Sequence, residues 1–241
     1  MNNNIHINDD KVYILDFDGV ICDSIDECML NSYNTFNNTN VVNINDLPKK
    51  YVSYFYKYRY HVRPAKEYFI LCKTYDYEVD LSLHKFDKYR KKFENYMADY
   101  ESKFFQKRCE LKRNIILWLS YHKIYEQAKK FFNNITNNIF ILTTKDYDSV
   151  KKLVKHFGYF SKVEDIISKE ISNDKEILFE YLFSRHKSLL NDKRVIFIDD
   201  NEYHLKSVKK FPVELYFARW GYSKKQISNN FRGINSFEEL I

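Results

Sequence analysis

The 241-residue sequence has only four cysteines, Cys22, Cys28, Cys72 and Cys109, and no two form a C-x-x-C pair. A reduced, cytoplasmic protein is the simplest reading of that usage. No apolar run approaches the ~20 residues needed to span a bilayer, so no membrane partner is expected. The opening Met1-Asn2-Asn3-Asn4-Ile5-His6 lacks a charged segment leading into an apolar one, so no secretion leader is expected. There is no concentrated Lys/Arg block, no zinc-finger spacing and no nucleic-acid motif. The net charge of +6 is a mild excess spread over the chain, and nucleic acid is not an expected partner. Internal repeats and linkers are also missing.

What the chain does have is a hydrophobic fraction of 44%, enough for a real core. Aromatics make up 18%, mostly Tyr and Phe, alongside abundant Asn, Lys and Ile. That pattern reads as a composition bias, so single residues of these types carry little functional weight. The length suits one large domain, or a medium domain with an insertion.

The apolar run Lys11-Val12-Tyr13-Ile14-Leu15 predicts a buried strand ending at Asp16-Phe17-Asp18-Gly19, where Gly19 permits a turn. Ser24-Ile25-Asp26-Glu27 has the form of a capping box, predicting a helix from Ser24. From about 31 to 120 the apolar residues recur at helical spacing: Leu47, Tyr51, Tyr54, Phe55, Tyr58 and Val62, then Leu83, Phe86, Tyr89, Phe93, Tyr96, Met97, Tyr100 and Phe104. Beyond Ile124 the pattern alternates. Strands are predicted at Ile139 to Leu142, Val163 to Ile167, Val195 to Ile198 and Val213 to Phe217. Helices are predicted at Tyr125 to Phe132, Tyr147 to Phe157, Lys175 to Leu190, and after Asp200 as far as Phe211. Strand–helix alternation argues a parallel α/β sheet, with the helical stretch inserted after the first strand.

Three of these strands end in small polar or acidic residues: Asp16 and Asp18, Thr143 and Thr144, Asp199 and Asp200. Sites in open parallel sheets form beyond the carboxyl ends of the strands, so these ends should meet. Four gathered carboxylates repel one another unless a cation neutralises them. An all-oxygen ligand set suits a hard ion such as Mg²⁺.

With these residues in view, the sequence resembles the haloacid dehalogenase-like hydrolase superfamily, and its phosphatases in particular. The resemblance rests on Asp16-Phe17-Asp18-Gly19-Val20 after a strand, Thr143 ending a strand, Lys175 opening a helix, and Asp199-Asp200 ending a strand. The tail Ala218-Arg219-Trp220-Gly221-Tyr222 looks like a loop of phosphoglycolate-phosphatase-like members. The resemblance implies a Rossmann-like parallel sheet core with helices on both faces (1–22 and 120–241) and an inserted α-helical cap (23–119). It implies a Mg²⁺-dependent phosphatase acting on a small phosphorylated metabolite. Asp16 would be the nucleophile and Asp18 the general acid and base. Thr143 and Thr144 with Lys175 would hold the phosphate. Mg²⁺ would be bound by Asp16, Asp18 through its carbonyl, Asp199 and Asp200, with Asp200 expected as the stronger of the pair. Lys175 is preferred to Lys169 because it opens a helix.

The cap would exclude water and select substrate. Arg59 and Arg63, clustered with His61, Lys66 and Glu67 around Pro64, are candidates for an anionic leaving group; a solvated charged turn is the other reading of that stretch. Arg108 is a weaker candidate. Dehalogenation is disfavoured because dehalogenases lack the second acid, present here as Asp18. Phosphonate cleavage needs a cap lysine that nothing singles out. A phosphomutase and a polynucleotide end-phosphatase are the alternatives.

Overall fold

The structure is a computed structural model and describes residues 10–137, 139–223 and 230–240. The amino-terminal stretch read above for a leader lies outside the described residues. The chain divides into two units, one of Met1–Asp23 with Ile124–Ile241 and one of Ser24–Lys123. Among the described residues no helix is long and apolar enough to cross a membrane.

The first unit opens with β1 (Lys11–Leu15) and the two-residue β2 (Cys22–Asp23). The helical unit follows as α1 (Ile25–Asn37), α2 (Lys49–Tyr58), α3 (Tyr68–Tyr75), α4 (Leu83–Lys92), α5 (Glu94–Lys112) and α6 (Ile115–Ser120). The chain then forms β3 (Lys123–Ile124), α7 (Glu126–Asn134), β4 (Ile139–Leu142), α8 (Tyr147–His156) and β5 (Val163–Ile167). It finishes with α9 (Lys175–Arg185), α10 (Lys187–Leu190), β6 (Arg194–Asp199), α11 (Glu202–Ser207), β7 (Glu214–Ala218) and β8 (Arg232–Ile234). Strands β2 and β3 form a small sheet of their own.

The main sheet has six parallel strands in the order β5-β4-β1-β6-β7-β8. Tyr13 of β1 lies opposite Ile139 on one side and Ile196 on the other. β1 is therefore the place where the strand order turns round, so the carboxyl ends of β4, β1 and β6 are neighbours at a switch point. Both faces are covered, and this is why the strands read as unbroken apolar runs rather than alternating ones. Val12, Ile14, Phe140, Leu142, Val195 and Phe197 pack with Leu178, Phe179 and Leu182 of α9 and Leu205 of α11. The intervening Tyr13 turns the other way and meets Phe131 of α7 edge to face at 5.1 Å, with Phe237 stacked beyond at 4.3 Å. Burying each such side chain contributes roughly 1.5–3 kcal/mol relative to leaving it in water.

Several expectations shift in detail. The helix predicted over 175–190 breaks at His186, whose ring leaves the helix line to bond Asp165 at 2.8 Å and lie against Phe140. The helix predicted to reach Phe211 stops at Ser207. β8, with a single fully apolar side chain in Arg232-Gly233-Ile234, was not predicted.

In the helical unit, Tyr51, Phe55, Tyr58, Phe86, Met97, Tyr100 and Phe104 are buried as the spacing implies, while Leu83 and Tyr96 are exposed. Tyr68 stacks between Phe55 at 5.5 Å and Phe104 at 5.4 Å. The expected capping box does not form: the Ser24 side chain makes no cap hydrogen bond. Glu27, its would-be partner, is fully buried and receives Arg108 through Nε at 2.8 Å and Nη2 at 2.9 Å. A buried carboxylate needs that charge partner more than a helix end needs a second cap.

Candidate active site

The three central strands deliver their polar ends together. Asp16 leaves β1 with its N–H on the Ile198 carbonyl at 3.0 Å, so the sheet ladder fixes its backbone. The chain then folds back at once. The Phe17 carbonyl accepts from both Ile21 and Cys22 at 2.9 Å, and the Gly19 N–H donates to Cys22 at 2.9 Å. Gly19 sits at φ +92°, which side chains rarely adopt. On β4, the Thr143 N–H donates to Ile167 at 2.9 Å, and its hydroxyl accepts the Lys145 N–H at 3.1 Å. That bond leaves the hydroxyl proton of Thr143 able to point outward. Thr144 follows in the same bend, partly exposed.

Beyond β6, the carboxylate of Asp199 accepts the Asn201 N–H at 2.8 Å, and Asn201 caps α11 by accepting from Tyr203 at 3.0 Å. Asp174 caps α9 in the same way, receiving the Glu176 N–H at 2.8 Å. That cap places Lys175 as the first helical residue, aimed into the strand ends. Its ammonium donates to Asp16 Oδ1 at 2.8 Å and to the Leu142 carbonyl at 2.5 Å, and stands 3.4 Å from Asp199 Oδ2. A second lysine, Lys145, holds both oxygens of Asp18 at 3.2 and 3.3 Å.

The charges are buried, and their acidities follow. Burial pushes the Asp16 carboxyl up, against the pull of Lys175. Burial also works to raise Asp199, but His204 and Lys175 outweigh it and hold that carboxyl below its usual range. Lys175 would be lowered by burial, yet Asp16 and Asp199 keep it above the usual lysine value.

The family model of haloacid dehalogenase-like hydrolases matches residues 11–211. The chain is a haloacid dehalogenase-like hydrolase. Solved structures share the fold at low identity. A predicted phosphoglycolate phosphatase from Haemophilus somnus 129PT is 14% identical with a TM-score of 0.64, covering 97% of both chains. A predicted phosphatase from Clostridium acetobutylicum is 17% identical with a TM-score of 0.59, covering 95% of both. A magnesium-bound HAD-hydrolase-family protein from Bacillus subtilis is 15% identical with a TM-score of 0.57, covering 95% of this chain and 96% of that one. No curated protein matches the sequence.

For this hydrolase the donor set fits a divalent cation. Two buried carboxylates, Asp16 and Asp199, share the Lys175 ammonium, and Asp199 also takes His204, which gathers oxygen and nitrogen donors in a dry place. Asp16, Asp199 and His204 bring potential ligand atoms within 4.8 Å of one another. Asp200 is placed by the tail and the motif turn. Its Oδ2 accepts the Tyr222 N–H at 2.6 Å, and its carboxylate lies against Gly19 and Gly221, where any Cβ would collide with it. The tail singled out in the sequence thus closes on the motif: Trp220 Nε1 donates to the Val20 carbonyl at 3.0 Å.

Arg59 and Arg63 lie in the helical unit. Arg59 is buried, with Nη1 on the Val62 carbonyl at 3.1 Å and its guanidinium over Tyr68. Arg63 donates its N–H to Glu67 at 2.9 Å and places Nη2 at 3.7 Å from Asp87. The stretch is not a solvated turn, because Arg59, His61 and Glu67 are all buried. Two site residues escaped the sequence reading. His204 bonds Asp199 through Nδ1 at 3.1 and 3.3 Å, and its only sequence signal is a place one helical turn into the element after the acidic pair. Lys145 stands two residues after Thr143, as Asp18 stands two after Asp16.

Proposed function

We propose that this hydrolase is a Mg²⁺-dependent phosphatase that cleaves a small-molecule phosphate monoester through an aspartyl-phosphate on Asp16, in the cytoplasm. The observation that carries the reading is the pairing of two acids with two lysines at neighbouring strand ends: Asp16 with Lys175, and Asp18 with Lys145. One acid suffices for a nucleophile. A second acid two residues on suits a reaction that must also move a proton.

In the first step an oxygen of Asp16 attacks phosphorus, and the bond from phosphorus to the ester oxygen breaks as Asp18 protonates that oxygen. In the second, water attacks the aspartyl-phosphate, Asp18 takes its proton, and Asp16 returns as carboxylate. The net change is one water consumed, one alcohol and one phosphate released. Lys175 holds Asp16 by one oxygen, which aims the other. The Thr143 hydroxyl donates to a phosphoryl oxygen, and Thr144 lies beside it. Mg²⁺, held by Asp16, Asp199, Asp200 and the Asp18 carbonyl, would offset the repulsion between carboxylate and phosphate dianion. The Bacillus subtilis relative carries magnesium and the Haemophilus somnus relative is named a phosphoglycolate phosphatase, which supports this direction. The free cysteines, three of them buried, fit a reducing compartment.

The purified protein should hydrolyse a generic aryl phosphate with Mg²⁺ and stop when a chelator is added, recovering when Mg²⁺ is returned. Turnover undiminished in chelator would refute the metal dependence.

A further inference from the structure

The chain has only four glycines in 241 residues: Gly19, Gly158, Gly221 and Gly233. Three of them bear on one carboxylate or on the turn behind it. A Cβ on Gly19 would stand 2.4 Å from Asp200 Oδ2. A Cβ on Gly221 would stand 2.5 Å from the same oxygen, 2.3 Å from the Asp200 Cβ and 2.6 Å from the Gly19 carbonyl oxygen. Backbone and Cβ atoms cannot yield to such approaches as the tip of a long side chain can. The buried Asp200 carboxylate therefore lies in a slot with a glycine on each wall. A chain so poor in glycine commits half of its supply to that slot.

Gly221 belongs to the turn at 218–222, which is held along its length. At its start the Arg219 N–H donates to the Ile234 carbonyl of β8 at 3.0 Å. Gly233 of β8 gives the Arg219 side chain room, since a Cβ there would stand 2.3 Å from Nε. In the middle the Trp220 indole N–H donates to the Val20 carbonyl at 3.0 Å. The indole lies 5.0 Å from Phe237, the outer member of the ring stack that runs through Phe131 to Tyr13 of β1. At its end the Tyr222 N–H donates to Asp200 Oδ2 at 2.6 Å.

We propose that the turn at 218–222 is a clamp that sets the Asp200 carboxylate for a divalent cation, with Trp220 and Gly221 as its positioning residues. The inference rests on the reading of Asp200 as a Mg²⁺ ligand given above. A carboxylate free to rotate must be ordered when a cation binds, and that ordering weakens binding. The slot orders Asp200 beforehand. Trp220 ties the turn to Val20, two residues past Asp18, so one clamp spans the aspartate motif and the acidic pair. Trp220 and Gly221 act through Asp200 and not on substrate.

The test is calorimetric binding of Mg²⁺ to the purified full chain and three variants. Gly221→Ala pushes a methyl group into the slot and should weaken Mg²⁺ binding by at least about tenfold, as loss of the outer support of a metal ligand does. Trp220→Phe keeps a ring against Phe237 but removes the donor to Val20, and should weaken it by roughly threefold to tenfold. Gly158→Ala is the control for mere loss of stability. It is strained by its φ of +84°, yet no atom lies within 4 Å of the added methyl, and its Mg²⁺ affinity should stay within about twofold of wild type. Wild-type affinity in Gly221→Ala or in Trp220→Phe overturns the clamp and leaves the phosphatase reading standing. An equal loss in Gly158→Ala overturns it too. If Gly221→Ala does not fold, Trp220→Phe decides alone. A wild-type protein that takes up no Mg²⁺ removes the reading of the metal site itself, and this inference with it.

Discussion

In the helical unit, the fully buried Glu27 carboxylate receives both arms of Arg108, one guanidinium for one acid. Glu67, also buried, draws Arg90 Nε at 2.6 Å and the Arg63 N–H at 2.9 Å. In the sheet unit, Asp16 and Asp199 are also buried but divide a single ammonium between them, with the His204 ring beside Asp199. Both regions take charge out of water, and both must compensate it. The helical unit gives Glu27 and Glu67 each an arginine, with planar guanidinium forks that match carboxylates. The sheet unit instead gathers two acids around one lysine at the strand ends, where a cation and a phosphate are expected. Buried acids with an arginine each are architecture; buried acids gathered around a shared lysine are a site.

That contrast can be broken by removing one acid from each region. Asp16→Asn should lower aryl phosphate hydrolysis by at least about a thousandfold, as loss of a nucleophile does. Its thermal midpoint should hold or rise, because Asp199 then has Lys175 to itself; a large fall in the midpoint would erase the distinction between the regions. Arg108→Met should do the reverse in the helical unit. It strands Glu27 and should cost about 3–5 kcal/mol in urea denaturation. A loss below ~1 kcal/mol would show that the pair is not a structural necessity.

Gly19→Ala sharpens the comparison within the sheet unit. A Cβ there meets the Asp200 carboxylate at a backbone angle that alanine resists. Displacing that acid should reduce Mg²⁺-supported turnover by roughly tenfold to a hundredfold, consistent with the cost of misplaced catalytic groups. The smallest effect belongs to His61. Burial lowers its pKa from 6.5, against the Leu81 carbonyl and Asp87, with Arg63 and Arg90 adding to the lowering. The folded chain holds His61 neutral to lower pH than the unfolded chain does, which takes up a proton below about pH 6.5. Stability should therefore be full above that value and decline as pH falls through the folded pKa. Urea midpoints at about pH 7.5 and 5.5 should differ less in His61→Gln than in wild type, by under ~1 kcal/mol. An unaltered difference would remove His61 from the account.

The strand ends were legible because a doubly covered parallel strand announces itself. Val12 to Leu15, Ile139 to Leu142 and Val195 to Ile198 are unbroken apolar runs, each stopped by a polar residue. The family resemblance follows from those stops. Long-range pairings were not legible. Nothing local to Ser24-Ile25-Asp26-Glu27 reveals that Glu27 belongs to Arg108, 81 residues away. His186 breaks its helix for the sake of Asp165, 21 residues back. Lys145 and His204 were missed for the same reason, since a lysine or histidine shows its role only beside the carboxylate it meets. β8 was missed because three residues at a sheet edge leave little pattern.

The sheet order has a further consequence for how the chain is made. β1 leaves the ribosome well before both its neighbours, β4 and β6, which are encoded after the entire helical unit. The nascent Val12-Tyr13-Ile14-Leu15 segment must wait, with two open edges, while α1 to α6 emerge and find one another through shorter loops. This interior strand of the sheet is thus synthesised ahead of both its neighbours and among the last to be enclosed. An apolar segment held so long in the open makes synthesis, more than the mature fold, the stage at which this protein is most exposed to aggregation.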